Sequence, residues 1–132
     1  MDATLSDELE RQLPILRAFA FAATQDLEQA DLHVEEALRL IASELDSRSI
    51  NSAGVLKFRA YQLVEIVMVS HVKIPPSTTC NRIMILLHLG EFTKQDCQKI
   101  LDVSETCLNE CIAEYSERIE KKPLDPRVDP DF

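Results

Sequence analysis

The sequence predicts an all-α protein made of two small helical subdomains, and three observations carry that reading. Only two of the 132 residues are glycine. Apolar residues recur at the three- and four-residue spacing of helices, with very few β-type alternations. The breaks between these runs are polar or proline-bearing, which is the composition that stops a helix. The composition, 45% hydrophobic and 28% charged, is that of ordinary globular proteins. Pieces below about 60 residues are marginal alone, so two units of this size are expected to share a core.

Ser6 or Asp7 can cap a first helix running to about Ala23, with Glu8 and Glu10 near its positive end. Pro14 predicts a kink or a restart within it. Leu13, Leu16, Phe19, Ala20 and Ala23 share one face. A second helix, capped by Asp26 and running to about Leu45, turns Leu27, Ala30, Val34, Ala37, Leu38 and Ile41 inward. The polar stretch Asp46–Gly54 reads as a loop. A third helix spans about Ser52 to Val72, with Val55, Phe58, Leu63, Ile66 and Val67 as its apolar set. These three form a subdomain over residues 1–72. Residues 73–79 contain paired prolines, which cannot continue a helix, and form a linker.

Residues 80–122 hold an apolar helix, a turn at Gly90, a short helix opening at Thr93, a break at Asp102-Val103 and a longer helix from Ser104. That order is a helix-turn-helix, whose last helix would enter the major groove of DNA. Yet from Asp102 to Glu120 there are six acids and one base, Arg118, a net −5. DNA binding draws most of its affinity from Lys and Arg on phosphates, so this helix would be repelled. Residues 123–132, rich in proline and aspartate, are expected to be extended or disordered.

The formal charge of −9 is uneven: net −7 over residues 1–50, +3 over 51–101 and −5 over 102–132. Such a chain avoids nucleic acid and anionic membrane and suits a basic protein partner. The acidic N-terminus lacks a signal-peptide layout, and no run approaches the roughly 18 apolar residues of a span. A cytoplasmic location is expected, with Cys80, Cys97, Cys107 and Cys111 as reduced thiols filling core or boundary positions. Cys107 and Cys111 are spaced i, i+4, but without CxxC or HxxxH no metal site is expected. His33, His71 and His88 are scattered over three helices and read as boundary residues. Without a phosphate loop, nucleophile elbow or paired-carboxylate motif, neither enzymatic activity nor a cofactor is expected.

This layout resembles a small extracytoplasmic-function sigma factor. Leu13 to Ala20 followed by Thr24-Gln25-Asp26, and Ala30 to Leu38, resemble the opening and second helix of sigma region 2. Gly90 to Thr93 and Ile100 to Ser104 resemble the turn and break of region 4. Three departures matter. Asn109, Cys111 and Glu114 stand where region 4 is usually basic, and Leu32-His33 replaces an acid-Leu pair in the polymerase-gripping helix. Lys57, Arg59 and Tyr61 are thin equipment for melting DNA.

A nearer resemblance, over about residues 8–121, is to the sigma-like output domain of PhyR-type anti-anti-sigma factors of the general stress response, where the last helix is also acidic. It implies a non-catalytic mimic that binds a NepR-like anti-sigma factor and releases the cognate sigma factor. The alternative is a divergent extracytoplasmic-function sigma factor that binds promoter DNA and RNA polymerase. PhyR proteins also carry a phosphorylatable receiver domain, so a free-standing mimic and a piece of a longer protein are both compatible with this sequence. The expected mode is an amphipathic partner helix in an apolar groove between the two halves. Candidate anchors are Leu89 and Phe92 near the turn, Tyr115 on the last helix, and Phe21 and Leu40 on the first half. Phe92 is also the kind of residue that forms a helix-turn-helix core. The acids Glu35, Glu36 and Glu44 read equally as partner contacts or as a solvated face.

Overall fold

The computed structural model describes residues 3–121, with side chains from 4 to 117; the expected tail over 123–132 lies outside them. Every regular element among the described residues is helical. α1 (Ala3–Thr24), α2 (Leu27–Asp46) and α3 (Ala53–His71) form an up-down-up bundle. A 3-10 turn at Pro76–Thr78 leads to α4 (Thr79–Met84), which widens into a π-turn at Ile85–Leu89. α5 (Lys94–Leu101) and α6 (Glu105–Lys121) follow.

The helix starts follow capping chemistry. Asp26 accepts from the Gln29 amide, Ser52 from Val55, Thr93 from Asp96 and Ser104 from Cys107, each satisfying a donor the helix leaves free. α1 is the exception: it begins at Ala3, ahead of the expected cap at Ser6 or Asp7. It also continues through exposed Pro14 without a restart. Gln25 ends α1 and Asp102 ends α5, both in the left-handed region.

The buried faces correct part of the expected pattern. Leu16, Phe19, Ala20, Ala30, Val34 and Ile41 are inside, but Leu27 stands exposed at the start of α2. On α3 the inward face is Leu56, Ala60, Tyr61, Leu63, Val64, Val67 and Met68, while Val55 and Ile66 face out. This helix is apolar nearly all round, so periodicity alone cannot choose its buried side.

One buried cluster runs from the three-helix bundle into the second half through Ile83, Leu86, Phe92, Ile100 and Leu108. Its seam is aromatic. Tyr61 meets Phe19 edge-on at 5.7 Å and Phe92 at 5.1 Å, and Phe92 meets Phe58 at 6.4 Å. Such pairs contribute about 0.5–1.5 kcal/mol each beyond the area they bury. Beside the seam, Glu65 on α3 and Arg82 on α4 form a buried ion pair across the linker. Burial raises the Glu65 carboxyl above its ordinary value even though Arg82 pulls it down.

The cysteines correct a further expectation. Cys80 on α4 and Cys111 on α6 are bonded, with Cα atoms 5.2 Å apart, while Cys97 and Cys107 are free. A separation of 31 residues gives no hint of this. Only the packing of α6 on α4 brings the two Cα atoms within disulfide range.

Candidate functional site

The turn after α4 is built around a glycine that has no room for a side chain. A Cβ on Gly90 would lie 2.9 Å from the Leu86 carbonyl oxygen and 2.9 Å from the Phe92 ring. The wide π-turn closes through Gly90 N–H donating to the Ile85 carbonyl, and Phe92 N–H donating to that of Leu86. Phe92 is thereby drawn inward and Leu89 is left outside, 55% exposed. π-turns of this kind are frequent at functional sites.

Leu89, Gly90 and Glu91 form one wall of a cleft of about 350 Å³ against α1 and the start of α3. Ile15 is apolar there, but Glu8, Arg11, Gln12 and Lys57 also line it. This cleft is therefore of mixed polarity, not the apolar groove expected between the halves. Its floor is ordered: Tyr61 Oη donates to Gln12 Oε1 at 2.7 Å, and Gln12 Nε2 donates to Glu8 at 2.8 Å. Burial raises the Tyr61 phenol well above its ordinary value, so it remains a donor. The Lys57 ammonium sits 4.7 Å above the Phe92 ring.

The five expected anchors separate. Leu89 lines the cleft. Tyr115, half-buried on α6, packs its ring 5.2 Å from that of His88, the residue before Leu89. Leu89 and Tyr115 therefore flank the same turn. Phe92 is 9% exposed and belongs to the core, because Gly90 lets its ring fold beneath the turn; this corrects its reading as a surface anchor. Phe21 and Leu40 are exposed on α1 and α2, outside the cleft lining.

The acids also separate into two groups. Glu35 and Glu36 pair with Arg39. Glu44 takes three hydrogen bonds from Arg59, which hold its carboxyl below the ordinary value, and Arg17 clasps Asp31 with two. The acidity of α2 is thus locally offset by arginines. On α6, Glu105, Glu110, Glu114 and Glu117 all stand exposed, and the bases of that helix, Arg118 and Lys121, come only in its last turn.

The histidines were read as boundary residues, and two of them prove to be a stacked pair. His33 and His71 have ring centroids 5.8 Å apart and planes 12° apart. Burial first, and then His71, lower the His33 pKa, and its Nε2 finds no partner among the described residues. Sequence reasoning missed this pair and the Glu65–Arg82 bridge, since their partners lie on different helices. Among the described residues no group of three or more His, Cys, Asp or Glu could hold a metal ion, and no helix is long and apolar enough to cross a membrane.

No protein-family model matches the chain, and no curated protein matches it. Among solved structures it is similar to the anti-anti-sigma factor PhyR of Bartonella quintana, determined in complex with the anti-sigma factor NepR. The TM-score is 0.59 at 18% identity, over 89% of this chain and 51% of that one. The chain thus spans about half the length of that protein, and at this identity the likeness is one of fold: an all-α, sigma-like arrangement of helices.

Proposed function

We propose that the chain is a sigma-factor mimic that binds a NepR-like anti-sigma factor and so frees the cognate sigma factor in a stress response. The observation that carries this reading is an acidic α6, five acids against Arg118 and Lys121, on a fold similar to that of PhyR. An anti-sigma factor reads a sigma factor through surfaces overlapping its DNA and polymerase contacts. A competitor keeps the shape and the apolar contacts and discards the basic residues, and its acids then oppose promoter binding. They also speed capture of a basic partner helix. In this reading the second half acts as a helix-turn-helix whose ligand has changed from DNA to protein, and Leu89 and Tyr115 flank the turn that meets the partner.

The test is titration of the chain with the NepR-type protein of its source organism, followed by competition with the cognate sigma factor. Saturable binding and sigma release are expected. No binding at micromolar concentration, together with salt-sensitive promoter binding, would overturn the proposal in favour of a DNA-binding sigma factor.

A further inference from the structure

The Cys80–Cys111 bond falls on a helix with a small hold on the core. Among the described side chains, α6 fully buries Leu108 and Cys111 itself, whereas α3 buries eight. The other two cysteines are placed as bystanders. Cys97 is wholly buried on α5, and burial pushes its thiol up to about 11. Cys107 is half-buried one turn before Cys111 and remains free. Within the bonded pair, Cys80 is half-buried and Cys111 is 4% exposed, so Cys80 offers the sulfur that an incoming thiolate can reach.

We propose that Cys80–Cys111 is a reversible thiol–disulfide site that latches α6 onto α4, worked by a cellular dithiol and its oxidised form. The reductant's thiolate attacks Cys80 Sγ, forming a mixed disulfide, and the Cys111 sulfur leaves as a thiolate and takes up a proton. The reductant's second thiol gives up its proton and attacks its own sulfur in that mixed disulfide. Cys80 is released as a thiolate and is protonated. Two electrons and two protons pass to the chain, the reductant becomes a disulfide, and the reverse sequence closes the latch. Opening leaves α6 held by Leu108 and its partly buried neighbours Cys107 and Ile112. The latch thereby governs the helix that sets Tyr115 against His88, and its operation requires no particular partner.

The test uses the whole chain, equilibrated with oxidised glutathione or with dithiothreitol, then unfolded, alkylated and weighed. Two alkylated thiols are expected in the first state and four in the second. Amide exchange over residues 105–121 should be at least roughly tenfold faster in the reduced chain, with α1–α3 still folded and protected. C107S should respond like the parent, while C80S and C111S should start fast and ignore reductant. Four thiols under oxidised glutathione, or equal α6 exchange in both states, would overturn the latch. So would collapse of α1–α3 on reduction, which would make the bond a staple for the whole fold.

Discussion

Replacing Arg82 by methionine removes one half of the ion pair that joins the two halves of the molecule, and its cost follows from burial. The side chains of Arg82 and Glu65 are 6% and 10% exposed, so neither charge has water to fall back on. Breaking such a pair from one side costs about 3–5 kcal/mol, because the other charge stays buried and unpaired. For a chain of this size each kcal/mol moves the thermal midpoint by about 4 °C, so R82M should melt about 12–20 °C lower at neutral pH. The loss should depend on pH in a set direction. Glu65 already titrates above its ordinary 4.5, since burial outweighs Arg82. A folded carboxyl raised in this way is most favourable below 4.5 and costs stability as pH rises through its folded value. Without Arg82 the rise is larger, so the deficit of R82M should be small near pH 5 and grow toward pH 8. The double variant E65L/R82M removes both charges and should return to within about 1 kcal/mol of the parent, or exceed it. Thermal and urea melts of the parent, R82M, E65L and E65L/R82M at pH 5, 7 and 8 give the cycle. An R82M deficit under about 1 kcal/mol, or one that shrinks as pH rises, would refute the reasoning.

Gly90→Ala should cost about 1–3 kcal/mol in urea melts, because its Cβ meets a backbone oxygen and the packed Phe92 ring at 2.9 Å. A neutral G90A would mean the turn is slack. Tyr115→Ala should lower partner affinity by about 2 kcal/mol, roughly thirtyfold in calorimetric titration, while the melting midpoint barely moves. A large stability loss would make Tyr115 a structural residue instead. Reducing Cys80–Cys111, which closes 31 residues of chain, should lower stability by up to about 3.7 kcal/mol. Melts with and without dithiothreitol measure this, and superimposable curves would show that the bond contributes nothing.

The sites fared differently from the helices in what could be read ahead of the structure. Leu89 and Tyr115 were singled out because an apolar side chain beside a turn and a tyrosine on an acidic helix are locally conspicuous, and their role as anchors belongs to the proposed function. For Phe92 the sequence left anchor and core both open, because whether an aromatic at a turn folds under or stands out depends on the room left by Gly90 and Leu86. The arginines that offset the α2 acids lie 14 and 15 residues away for Asp31 and Glu44, beyond any helical repeat. α3 could be recognised as a helix, yet its inward face could not, since Ile66 and Val67 are equally apolar neighbours and only the bundle chooses between them.

By itself, then, the sequence determined the all-α class, the cap at Asp26, the helix starts near Ser52, Thr93 and Ser104, the breaks between helices, and the acidity of α6. These are properties of neighbours within a turn or two, where spacing, caps and charge act locally. The tertiary structure decided what lies between helices: the aromatic seam from Phe19 to Phe58, the Glu65–Arg82 bridge, the His33–His71 stack and the Cys80–Cys111 bond. Each joins residues 14 or more positions apart, and each exists because burying the apolar faces fixes how the helices pack. No local rule of spacing carries that information.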